Sequence, residues 1–298
     1  MHHHLGHPGE HRHLTGALLL TLSFAFVEAV AGWWSGSLAL IADAGHMLTD
    51  ATALGLAALA AWLARRPPSA RHTYGLVRAE VLAALVNGLL MLGLIAFIAV
   101  EAVQRFGHPR DIHGEAVIVV AAIGLLVNLL VAWRLSRGGH DLNTRAALLH
   151  VIGDLLGSVA ALAAGAVVLL TGWTPIDPLL SLLVAGLILV SAWRLLSEAL
   201  HVLLEGVPPH VDLQEVGRNL AALDGVLSVH DLHIWTLSSG KIALSAHLAL
   251  ESLDDWPRIL LQARTLLVNR HGIGHVTLQP ESEDNPLMRQ MTKRNRTP

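Results

Sequence analysis

The sequence predicts an α-helical membrane protein, with six transmembrane helices followed by a C-terminal cytoplasmic α/β domain of ferredoxin-like type. Three observations carry this reading. The 298 residues are 53% hydrophobic and only 14% charged, against ~25% charged residues in ordinary soluble domains. The apolar residues are gathered into long runs before residue 205. Beyond that point charge returns and the hydrophobic pattern breaks into short helical and strand-like periods.

A helix needs ~20 residues to cross the hydrocarbon core. Six apolar segments are long enough: Leu14 to Trp34, Leu38 to Leu63, Ala79 to Arg105, Gly114 to Trp133, Thr144 to Leu170 and Pro178 to Leu200. Glycine and other small residues recur in them, as expected where helices pack closely in lipid. The connections set the orientation. "ARRPPSARH" carries Arg65, Arg66 and Arg71, and "RLSRGGHDLNTR" carries Arg134, Arg137 and Arg145, whereas "WWSGS" and "TGWTPID" have no basic residue. The positive-inside rule then puts both termini in the cytoplasm. Trp33, Trp34 and Trp173 fall at the outer interface.

In "EGVPPHVD" two prolines end the last membrane helix. "VDLQEVGRNLAAL" then has helical spacing with Asp212 as N-cap. "VLSVHDLHIWTL" and "KIALSAHLAL" read as strands around the turn "SSGK"; "WPRILLQARTLLVNRHG" is helical and "HVTLQP" is a final strand. The order α-β-β-α-β is the basis of the ferredoxin-like expectation. The expected organisation is a His-rich cytoplasmic tail at 1–13, a six-helix transmembrane domain at 14–205, a cytoplasmic domain at 206–284, and a disordered tail at 285–298.

Composition removes several function classes. A net charge of -3 gives no general basicity for nucleic acid, so no nucleic-acid partner is expected. With no cysteine there are no disulfides, Fe–S clusters or thiolate metal sites. Histidine is abundant instead: 19 residues, six of them within "MHHHLGHPGEHRH". That segment is interrupted by Leu, Gly, Pro and Glu, unlike the unbroken run of an expression tag, and reads as a native metal-collecting tail. It is no secretory signal, for no cleavage site follows the first apolar stretch.

Two stretches repeat one chemical phrase. "IADAGHMLTDA" holds His46 and Asp50, and "ALLHVIGDLLG" holds His150 and Asp154. Residues i and i+4 share a helix face. On antiparallel helices that face one another, His46 falls level with Asp154 and Asp50 with His150. Two imidazoles and two carboxylates then surround one point, a cage suited to tetrahedral Zn²⁺ with bonds of about 2.0–2.2 Å. An ionised Asp at mid-bilayer costs at least ~2.5–3.5 kcal/mol, so two such pairs at matched spacing need a reason beyond helix packing.

The chain resembles the cation diffusion facilitator family, and in particular its zinc-transporter branch, in "SLALIADAGHMLTDA", "YGLVRAEVLAALVNG", "HVIGDLLGSV", "DPLLSLLVAGLIL" and "VHDLHIWTL…ALSAHLAL". These cover almost the whole chain. The resemblance implies a homodimer in the lipid bilayer that exports Zn²⁺ from the cytoplasm in exchange for protons. It implies that His46, Asp50, His150 and Asp154 bind the transported ion. A His at position 46 resembles zinc-selective members, consistent with the preference of imidazole for zinc over manganese; Cd²⁺ and Co²⁺ suit similar ligands. Protons compete for the same donor atoms. The expected location is the inner membrane of a bacterium.

Other residues give weaker signals. Asp43 lies on the same face as His46, one turn nearer the outside, and either lines an exit path or bonds a neighbouring helix. Glu28, Asn87, Asn128 and Asp177 read as packing or water-path groups. Where some members of the family have a His after the Gly of "RHTYGLVRAE", this chain has Leu76, leaving His72 without a full site; His140 reads as solvated. In the soluble domain the resemblance implies a regulatory or dimer-stabilising Zn²⁺ site at His230, His247 and Glu281. His233, three residues past His230 in an alternating strand, is expected on the opposite face. An intramembrane metalloprotease is disfavoured, because no H-E-x-x-H occurs and four protein ligands leave no place for catalytic water. A zinc sensor or channel without proton exchange is the competing reading.

Overall fold

The computed structural model describes the backbone of residues 8–136, 142–238 and 240–282, and the side chains of 21–133, 151–238 and 240–282. The described residues divide into two compact units, one within Met1–Leu59 and Ala83–Leu196, the other within Ala60–Leu82 and Ser197–Pro298.

The helices are α1 (Pro8–Ser35), α2 (Leu38–Ala64), α3 (Ala79–Gly107), α4 (Gly114–Ser136), α5 (Leu142–Thr171) and α6 (Ile176–Leu203). Each expected span falls within one of them. Among the described residues, five helices, α2 to α6, are long and apolar enough to cross a membrane. Large apolar side chains on their outer faces are bare, as lipid-facing groups must be: Val103, Leu126, Leu170 and Val190 are all exposed. Helix α1 begins at Pro8, inside the segment expected as a tail, and proline is well suited to the first helical position. His2, His3, His4 and His7 lie outside the described residues, as does the expected tail at 285–298.

One buried polar knot fixes the start of α2. Asp177, at the start of α6, accepts from Ser37 Oγ (2.6 Å), from the backbone N–H of Leu38 (2.7 Å) and Ala39 (3.3 Å), and from Arg105 Nη1 of α3 (3.4 Å). A helix begins with orphan N–H donors and a partial positive charge. Here a carboxylate from a distant part of the chain caps them. Asp177 therefore does more than pack: it ties three helices together. Asp177→Ala leaves the cap donors without their acceptor and takes one of three partners from Arg105, which keeps Glu101 and the Gly36 carbonyl. We expect it to destabilise the purified protein by about 3–5 kcal/mol, as broken buried ion pairs do. Thermal unfolding in detergent measures this.

The second unit contains a three-stranded sheet in the order β1 (Val226–Ser238), β2 (Lys241–Leu250), β3 (His275–Ser282), covered by α7 (Leu213–Ala221) and α8 (Trp256–His271). β1 and β2 are antiparallel, and β2 and β3 are parallel, with α8 as the crossover. The expected order α-β-β-α-β is the observed one. Asp212 Oδ1 caps α7 by accepting from the N–H of Gln214 and Glu215. Gly272 ends α8 in the left-handed region at φ 67°, and the next N–H, of Ile273, returns to the Leu267 carbonyl.

Alternation along β2 sends Ile242, Leu244, Ala246, Leu248 and Leu250 into a core with Val216 and Leu220 of α7 and Ile259, Ala263 and Leu267 of α8. Leu244 is fully buried. Leu244→Ala is expected to lower the stability of this unit by about 2–5 kcal/mol, read as a lower denaturant midpoint.

The register corrects one expectation. His230 pairs with His247, but His233 pairs with Ser245, so β1 carries an extra residue between them. Asp231, in the left-handed region at φ 47°, supplies the bulge. Ser245 and His247 are two apart and share a face, so His233 lies on the same face as His230 rather than on the opposite one.

Candidate metal centres

The first cluster joins α2 and α5. His46 and Asp50 stand on successive turns of α2, with His46 Nδ1 3.6 Å from Asp50 Oδ2. Asp154 of α5 comes to the other side of the ring, with Oδ1 3.7 Å from His46 Nε2. One ligand atom from each of the three lies within 4.8 Å of the others. Donors bound tetrahedrally at about 2.0–2.2 Å stand roughly 3.3–3.6 Å apart, so these gaps are the size of a divalent ion. The side chains are only 14% to 20% exposed, enclosed but not sealed. The fourth expected ligand, His150, belongs to α5 one turn before Asp154, and its side chain lies outside the described residues. His46, Asp50 and Asp154 are thus brought together.

A polar layer adjoins this cluster. Asp43 is 2% exposed and sits one turn before His46 on α2. Ser158 Oγ of α5 donates to Asp43 Oδ2 at 3.3 Å, and Asn128 Nδ2 of α4 donates to Ser158 Oγ at 3.3 Å. Asp43 thus bonds a neighbouring helix, one of the two roles weighed for it. Its Oδ1 fills the space beside Gly157, where an added Cβ would meet it at 2.6 Å. Ser158 escaped the sequence reading. Its signal was position: it follows Asp154 by four residues and therefore shares its face.

The second cluster is on the open face of the sheet. His247 Nδ1 lies 2.7 Å from Glu281 Oε1, and His230 Nε2 lies 3.2 Å from Glu281 Oε2. The two imidazoles meet edge to face at 5.4 Å. The sheet register produces this directly: His230 is opposite His247, and Ala249, two residues on, is opposite Glu281. Gln279 Nε2 donates to Glu281 Oε1 at 3.2 Å and orients it. The three expected residues are therefore neighbours, with Glu281 buried and both imidazoles partly exposed. His72 sits exposed in the turn after Ser69, and His140 lies outside the described residues.

Comparison with known proteins agrees along the chain. Residues 14–204 match the cation efflux transmembrane domain, and residues 208–283 match the cytoplasmic domain of cation efflux proteins. The zinc transporter ZitB of Pectobacterium atrosepticum is 43% identical over 276 residues, covering 92% of this chain and 86% of the relative. The metal cation efflux system protein CzcD of Cupriavidus metallidurans is 42% identical over 282 residues, with 94% and 89% covered. The cadmium, cobalt and zinc/H⁺-K⁺ antiporter of Bacillus subtilis is 37% identical over 287 residues, with 92% of each covered.

Proposed function

This chain belongs to the cation diffusion facilitator family, in its zinc-transporter branch, and from that premise we propose that it exports Zn²⁺ from the cytoplasm in exchange for protons. The family is one of multi-pass membrane transporters of divalent cations, not of enzymes. The single observation that carries the reading is the meeting of His46, Asp50 and Asp154 between α2 and α5. With His150 as the fourth donor, the transported ion sits in a two-His, two-Asp cage. A nitrogen–oxygen set without sulfur favours Zn²⁺, and accommodates Cd²⁺ and Co²⁺, over soft Cu(I).

Proton coupling follows from the donors. An imidazole must be neutral and a carboxylate ionised to hold metal, so each proton taken up weakens the cage. Zinc enters while the cage faces the cytoplasm, the helices rearrange, and protonation on the far side releases the ion and resets the carrier. Zinc affinity therefore falls as pH falls. The asymmetry of loop arginines supports six spans with both termini in the cytoplasm of a bacterial inner membrane. In the proposed organisation the transport domain is 14–205, and 206–284 is a ferredoxin-like cytoplasmic domain through which two copies form a homodimer. His230, His247 and Glu281 hold a regulatory Zn²⁺ there.

Inverted vesicles test the proposal. An imposed proton gradient, acid inside, is expected to drive saturable ⁶⁵Zn uptake, with internal alkalinisation in step. Zinc entry with no proton movement would identify a channel, and zinc binding without entry a sensor; either result contradicts the exchange.

A further inference from the structure

Glu28 of α1 is fully buried, and neither of its carboxylate oxygens has a hydrogen-bond partner among the described residues. α1 packs on α2 beside the cage, where Phe24 and Ala25 meet Met47, and among the described residues the charged groups acting on Glu28 are both acidic: Asp43 from α2 and Asp154 from α5. Among the described side chains of α4 it meets no charge. The helix instead makes room for it at Gly124, where an added Cβ would stand 2.9 Å from Glu28 Oε1 and 2.9 Å from Phe24 Cε1. An ionised carboxylate desolvated in this way, beside two others, costs several kcal/mol. Helix packing gains nothing from it that a leucine would not supply. Two things remove the cost: a proton on the carboxyl, or a cation in the adjoining cage.

We propose that Glu28 is a proton-carrying residue of the exchange, a neutral acid while the cage between α2 and α5 is empty and a carboxylate while it holds Zn²⁺. The assignment rests on the zinc/proton exchange proposed above and extends it to a residue outside the cage. Zinc binding brings two positive charges close to the carboxyl, which then releases its proton; when zinc leaves, the repulsion by Asp43 and Asp154 returns and the proton is taken back. Glu28 touches no metal in this scheme. It lets the chain count protons on a group that does not compete for a coordination position.

The test uses the full-length protein, in detergent and in proteoliposomes, with zinc as the probe. Calorimetry in buffers of different ionisation enthalpy gives the protons released per zinc. Glu28→Gln is expected to bind the wild-type amount of zinc and to release about one fewer proton. Gradient-driven uptake is expected to be lost, while ⁶⁵Zn/Zn self-exchange, which needs no net proton movement, persists. Glu28→Asp is expected to restore part of the coupling. Infrared difference spectra of the wild type provide a readout even if Glu28→Gln does not fold: the C=O band of a protonated carboxylic acid is expected to vanish on adding zinc. An unchanged proton count in Glu28→Gln, or no zinc-sensitive acid band in the wild type, overturns the assignment. If wild-type vesicles move zinc without protons, the exchange itself fails and Glu28 falls with it. If the wild type is coupled and Glu28→Gln equally so, only the role of Glu28 fails.

Discussion

Asp154→Ala is expected to lower zinc transport by at least ~100-fold, beyond the ~10–100-fold typical of residues that merely support a metal ligand. The reason is both geometric and electrostatic. Asp154 is the carboxylate that faces His46 Nε2 from the opposite helix, 3.7 Å away. Without it α5 contributes no described donor to the cage, and a dication between the helices loses one of its two counter-charges, which neutral water does not replace. Asp154→Asn keeps the shape and a carbonyl oxygen but removes the charge, and is expected to fail almost as completely. Uptake of ⁶⁵Zn into vesicles containing matched amounts of protein measures both variants. Transport within twofold or so of wild type in Asp154→Ala would show that the ion does not pass through this cluster.

His46→Asp is expected to change which metal is carried. It replaces an imidazole, which suits zinc, by a carboxylate, which suits manganese and other hard ions. His46 lies between Asp50 and Asp154, with a ring nitrogen turned to each, so the exchange produces three carboxylates around one point. We expect zinc uptake to fall roughly tenfold and manganese to become a substrate, since selectivity follows donor type more than raw affinity. Competition of unlabelled manganese against ⁶⁵Zn reads the change. An unaltered order of metals would mean that selection occurs elsewhere.

The parts of this protein that were legible in its sequence are those set by local periodicity. His46 could be paired with Asp50 because four residues on a helix return to the same face, and the structure places them 3.6 Å apart. Apolar length marked the long helices, and the turn "SSGK" separated β1 from β2. What was not legible depended on distant contacts or on a single backbone angle. The bulge at Asp231 shifts His233 to Thr236 by one position and brings His233 to the face of His230; nothing in an alternating run announces a positive φ. Asp177 read as a packing group because its partners, Ser37, Leu38 and Arg105, belong to other parts of the chain. Glu28 read the same way, since only packing reveals that no hydrogen-bonding group among the described residues comes to meet it. Position, in each case, outweighed residue type.

The claim on which the account depends is that α2 and α5 hold one divalent ion between His46, Asp50, His150 and Asp154. Crystals of the zinc-loaded protein, with diffraction recorded on both sides of the zinc absorption edge, test it most directly. An anomalous peak is expected about 2.0–2.2 Å from one donor atom of each of the four side chains. A zinc-loaded, transport-competent protein with anomalous density only in the soluble domain, or at a membrane position away from these residues, would contradict it.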